Sequence, residues 1–95
     1  MYIEFVKYYD KKLKNDWAFG INMNEVIMYK LLPAYEKDKY AIDITLKSGK
    51  IRIVGPQKDI IKIVLDVKEA FIDEKKQFCS VDLPDSVDVP TITNS

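Results

Sequence analysis

The run Tyr40-Ala41-Ile42-Asp43-Ile44-Thr45-Leu46-Lys47-Ser48-Gly49-Lys50-Ile51-Arg52-Ile53-Val54 decides the architecture. Tyr40, Ile42, Ile44 and Leu46 alternate with Ala41, Asp43, Thr45 and Lys47, and Ile51 and Ile53 resume the alternation beyond Ser48-Gly49. Successive residues of a strand face opposite sides, so this pattern predicts a hairpin with one apolar and one polar face, turning at Ser-Gly. Gly55-Pro56 ends the second strand. Proline presets the backbone of a first helical turn, and the chain from about Gln57 to Lys75 reads as a helix. On a helical wheel Ile60, Ile63, Val64, Val67, Ala70 and Phe71 share one side, a stripe wide enough to cover a sheet.

Upstream, Met1 to Tyr9 is β-favouring and alternates, with Ile3, Phe5 and Lys7 on one face and Tyr2, Glu4, Val6 and Tyr8 on the other. A polar turn over residues 10–16 and a return strand Trp17-Ala18-Phe19-Gly20-Ile21 complete a first hairpin. Asn22, followed three residues later by Glu25, fits the cap of a single helical turn, and Val26 to Leu32 then reads as strand until Pro33. This order predicts an α+β domain: an antiparallel sheet of about five strands with one C-terminal helix packed across it. A small barrel of the pleckstrin-homology kind is the alternative closure. The domain is expected over residues 1–78, followed by an extended acidic, Pro-containing tail over 79–95. Pro84 and Pro90 forbid a helix there and disfavour a central strand. The tail holds three Asp and no base, whereas residues 1–55 hold ten bases against seven acids. It therefore suits the basic sheet domain or a partner's basic groove.

Composition narrows the chemistry. Ninety-five residues, 47% hydrophobic and 32% charged, are expected to build one core, because chains divide into several only beyond ~250 residues. Fifteen bases balance fifteen acids, so no overall field draws the chain to nucleic acid or an anionic membrane. With no His and a single Cys, the imidazole bases, His-assisted nucleophiles and nearly all zinc chemistry are missing. The expectation is a protein that is not an enzyme, with no cofactor and no metal. A lone thiol makes no intramolecular disulfide, and no apolar run approaches the ~20 residues that cross a bilayer. These features predict a cytoplasmic protein with no membrane association. Fourteen Lys to one Arg and twelve Ile fit an AT-rich bacterial or phage genome.

Ile21-Asn22-Met23-Asn24-Glu25-Val26, the hairpin over residues 42–54 and the Ile/Val-rich helix resemble the FlbD-like small bacterial proteins of flagellar and swarming systems. That family shows a strand ending in Leu-Asn or Ile-Asn, a hairpin turning at Gly and a short helix. The resemblance spans about residues 17–68 and carries no catalytic motif; the family's Thr-Arg-Leu-Asn-Gly start is absent here and its members lack the Pro-containing tail. It implies a sheet-plus-helix fold, and the family's flagellar function is not carried over.

Two sets of residues stand out as candidate contacts. A second helical stripe, Ile61, Leu65 and Ile72, lies well round the wheel from the core face, and a lone helix on a sheet has no use for it. Together with Leu83, Val87 and Val89 of the tail, it is the expected partner or oligomer interface. Around the first hairpin, Tyr8, Tyr9, Lys11, Lys12, Lys14 and Trp17 interleave aromatics with bases, as in proteins that stack nucleobases and meet phosphates with Lys. One Arg in the whole chain is poor equipment for bidentate phosphate contacts. Cys79, expected at the helix end, has no His to activate it, and Asp82, Asp85 and Asp88 lack the Gly and bidentate Glu of a calcium loop. The resulting expectation is a non-catalytic, homo-oligomeric interaction protein that binds and modulates a protein partner, either a bacterial host component or itself. A phage-encoded inhibitor of a bacterial defence or host system is its concrete form. The alternative is an oligomer that binds a small ligand, a nucleotide or single-stranded nucleic acid.

Overall fold

A computed structural model of the chain describes residues 2–10, 15–72 and 77–94, with side chains left out at 8–10, 15–17, 70 and 71. Seven strands and one helix follow the order β1 (Tyr2–Asp10), β2 (Asn15–Asn22), β3 (Val26–Pro33), β4 (Lys39–Leu46), β5 (Gly49–Pro56), α1 (Gln57–Ile72), β6 (Phe78–Asp82) and β7 (Thr91–Asn94). The protein is α+β, as its alternation patterns imply. The strands form two sheets, one ordered β2-β1-β6 and the other β3-β4-β5-β7, and they do not close into a barrel.

The central hairpin forms, with Ile42 opposite Ile53 and Ile44 opposite Ile51, one residue earlier than a turn at Ser48-Gly49 would place it. Its turn residues are Lys47 and Ser48, because Leu46 pairs with Gly49. Gly49 is a glycine for another reason. A Cβ there would lie 2.2 Å from the Thr93 carbonyl oxygen of β7, which runs antiparallel beside β5. A single 3-10 turn, Met23–Glu25, joins the sheets, and the Asn22 side chain accepts the Asn24 N–H at 3.0 Å as the cap. This local motif stands where the Asn-x-x-Glu spacing puts it.

α1 lies across the sheets and buries Ile60, Ile63, Val64 and Val67 against Phe5, Ile42, Ile44 and Ile53. At 1.5–3 kcal/mol for each fully buried aliphatic side chain, that contact contributes on the order of 10 kcal/mol before ordering costs. The hollows left beneath the helix are apolar and only about 10 Å³ each, about the room one water centre needs and without polar partners to hold it. Of the expected core stripe, Ala70 and Phe71 fall among the side chains left out.

The expected tail is extended, and it belongs to the sheets. β6 runs parallel to β1, with Tyr2 opposite Phe78 and Val6 opposite Asp82, and β7 completes the edge beyond β5. Val81, Leu83 and Val87 are core side chains. The domain boundary placed at residue 78 is therefore corrected: residues 78–94 join both sheets. Proline is compatible with this because Pro84 and Pro90 sit between β6 and β7 and neither is within a strand. No described helix is long and apolar enough to cross a membrane.

Candidate functional site

The connection from β6 to β7 is held by backbone groups at each step. Leu83 N–H donates to the Val6 carbonyl at 2.7 Å, Val87 N–H to Pro84 at 3.0 Å and Asp88 N–H to Val54 at 2.9 Å. Leu83 thus leaves along β1, and Asp88 arrives on β5. Between them Lys7, 5% exposed, donates its ammonium hydrogens to the Val87 carbonyl and, at 3.4 Å, to the Asp85 carbonyl. A buried ammonium needs such acceptors, because desolvating an unpaired charge is costly. Its place on the Ile3-Phe5-Lys7 face points it inward, which explains a base among core residues. Ser86 Oγ–H adds a 2.5 Å bond to the Asp59 carboxylate in the first turn of α1. Val87 itself packs over Gly55, where a Cβ would come within 2.9 Å of Val87 Cγ2 and 3.2 Å of its Cα.

These contacts divide the expected interface. Leu83 and Val87 are 5% and 0% exposed and are committed to the core, so they are removed from any partner surface; Val89 is half-buried. The helical stripe remains outside: Ile61 is 39% exposed, Leu65 55% and Ile72 80%. Spacings of four and seven residues place all three on one side of α1, with Lys58, Lys68 and Glu69 exposed around them. The C-terminal segment that was expected to share an interface with this row lies in the sheets. A second apolar strip lies at the edge strand β3, where Ile27, Met28 and Leu31 are exposed and, among the described residues, one strand edge is without a neighbour in the sheet. The β3–β4 register shifts between Val26 and Met28, a bulge of the kind that bends an edge strand.

Of the aromatic and basic candidates, Lys11, Lys12 and Lys14 lie outside the described residues. Tyr8 and Tyr9 are on β1 and Trp17 on β2, with their side chains among those left out. Cys79 is on β6, opposite Ile3, and half-buried; it does not end the helix as expected. Among the described residues no three acidic or Cys side chains gather into a metal-binding group; Asp82 ends β6, and Asp85 and Asp88 are on the connection that follows it.

The outer face of the β3-β4-β5-β7 sheet carries a group of charges that alternation alone does not assemble. Asp43 accepts Nε–H of Arg52 at 2.7 Å and Nη2–H at 2.8 Å across the β4–β5 pair. That bidentate pairing holds the Asp43 carboxyl below its ordinary range against the opposing effect of burial, and Lys50 and Lys30 add to the lowering. At one end of the same face Lys39 Nζ meets Glu36 at 2.6 Å and Asp88 at 3.7 Å, which raises the Lys39 pKa, chiefly through the bond to Glu36. Compared with family models, with curated proteins and with solved structures, the chain matches none.

Proposed function

We propose that this chain is a non-catalytic interaction protein that binds and modulates another protein, and that the apolar row Ile61, Leu65 and Ile72 on α1 is its contact surface. The observation that carries the reading is the exposure of this row on a helix whose opposite side already fills the core. Large aliphatic side chains aligned at helical spacing and ringed by charges have the composition of a contact patch with a polar rim. A second copy is the first occupant to consider, since like rows from two α1 helices can pack by ridges into grooves.

The test is solution mass by sedimentation equilibrium over a wide concentration range, for the wild type and for Ile61→Glu/Leu65→Glu. Both positions are outside the core, so circular dichroism of the two proteins should agree. The reading expects concentration-dependent association of the wild type, abolished in the double variant. Equal monomer masses for both proteins at every concentration would overturn a second copy as the occupant of this row.

A further inference from the structure

We propose that the outer face of the β3-β4-β5-β7 sheet binds a small phosphate monoester, its anionic head at Lys50 and Arg52, with Lys30 beyond Asp43, and its apolar or aromatic body beside Val54 and Val89. The strand registers set the arrangement. Lys30 lies opposite Asp43, Asp43 opposite Arg52, and Arg52 opposite Thr91, so four outward side chains form one row across four strands. In the next row Thr45 lies opposite Lys50 and Lys50 opposite Thr93. Neighbouring strands lie about 4.8 Å apart, which brings two cations and two hydroxyls within reach of one tetrahedral anion.

The shape of the face agrees with the charge. A hollow of about 300 Å³ is lined by Asp43, Lys50, Arg52, Thr91 and Thr93. A second of about 250 Å³ shares Arg52 and Thr91 with it and is walled by Ala34, Val54 and Val89, with the exposed ring of Tyr35 alongside. A ligand with a charged head and an apolar body fits this pair end to end. Glu36 and Asp88 also line the apolar hollow, at its Lys39 end, and Lys39 meets both and offsets one of their two charges.

Charge selects phosphate over carboxylate. Lys30, Lys50 and Arg52 face one carboxylate, Asp43, leaving a local surplus of two positive charges. A phosphate monoester carries close to two negative charges at neutral pH, whereas a carboxylate carries one. Asp43 takes two of the five guanidinium N–H donors of Arg52 and fixes the guanidinium plane, so less side-chain freedom is lost when the remaining donors bind.

The test uses phenyl phosphate, with inorganic phosphate and benzoate as comparisons, followed by amide chemical shifts on the full chain. Saturable shifts confined to residues about Lys50, Arg52, Thr91 and Thr93 are expected with phenyl phosphate, with affinity at least fivefold weaker for each comparison anion. Binding should strengthen from pH 5 to 7.5 as the phosphate loses its second proton. Lys50→Gln and Arg52→Gln should each weaken phenyl phosphate at least fivefold. Because Arg52 also braces the hairpin, the exposed Lys50 is the decisive position. Equal affinity for benzoate and phenyl phosphate, or unchanged affinity in Lys50→Gln with an unchanged spectrum, would overturn the proposal. The site is on a different face from the α1 row, so either reading can fail alone.

Discussion

Replacing Lys7 with Met isolates what the buried ammonium contributes. Met keeps an unbranched side chain of similar length, so most of the packing of the aliphatic stem survives, while the donors to the Val87 and Asp85 carbonyls are lost. A hydrogen bond from a charged group contributes roughly 1.5–3 kcal/mol, and leaving a buried acceptor unmet costs about 1–3 kcal/mol. The loss of the Lys desolvation cost works in the opposite direction, so the net destabilisation expected is about 2 kcal/mol. For a domain of this size about 4–8 °C follows per kcal/mol, giving a fall in Tm of roughly 8–16 °C. Thermal unfolding followed at 222 nm reads the loss, with exposed Lys47→Met as control. Amide exchange locates it: the Asp88 N–H bonded to Val54 should lose protection in Lys7→Met ahead of the β4–β5 ladder. An unchanged Tm with unchanged protection at Asp88 would refute the idea that Lys7 holds the 83–88 connection in place.

Gly49→Ala should displace β7, since the new Cβ would stand 2.2 Å from the Thr93 carbonyl oxygen; amides of residues 91–94 should lose exchange protection while Ile42 to Ile53 pairing persists, at a cost of about 1–3 kcal/mol. The lowered pKa of Asp43 sets a pH dependence: its contribution is complete above the unfolded carboxyl value of about 4 and disappears as pH falls through the lower folded value. The stability gap between wild type and Asp43→Asn, from urea unfolding at pH 7 and in steps below pH 4, should therefore narrow with acid; a constant gap contradicts the assignment. Deleting residues 79–95 removes Val81, Leu83 and Val87 from the core, roughly 4–9 kcal/mol at 1.5–3 kcal/mol each, against a typical total of 5–15 kcal/mol. The truncated chain should show a broad or absent thermal transition.

The parts of this fold that were legible in the sequence are those that local periodicity specifies. The β4–β5 hairpin, the Asn22 cap and the buried side of α1 each follow from residues a few positions apart. The strands β6 and β7 escape such reading because their partners, β1 and β5, are distant in the chain, and because Val81, Leu83 and Val87 stand among Pro and Asp that suggest an open tail. One signal was present at the other end: Lys7 shares the face of Ile3 and Phe5, and a base on an apolar face calls for buried acceptors. The candidate surfaces divide in the same way. The stripe Ile61, Leu65 and Ile72 is visible on a helical wheel, whereas the row from Lys30 to Thr91 depends on three strand registers, one shifted by a bulge near Ile27.

The parallel pairing of β1 with β6 also orders events during synthesis. Tyr2 finds its partner only when Phe78 has been made, and at 5–20 residues per second the wait for those intervening residues is about 4–15 s. The β3-β4-β5 meander and α1 can form in that interval from local contacts. Until residues 78–87 emerge, Ile3 and Phe5 lack Val81, Leu83 and Val87, and the Lys7 ammonium lacks its carbonyl acceptors. The first hairpin is therefore sealed late, just before β7 closes the edge of β5, and chaperones that hold exposed apolar strands would act on it during translation.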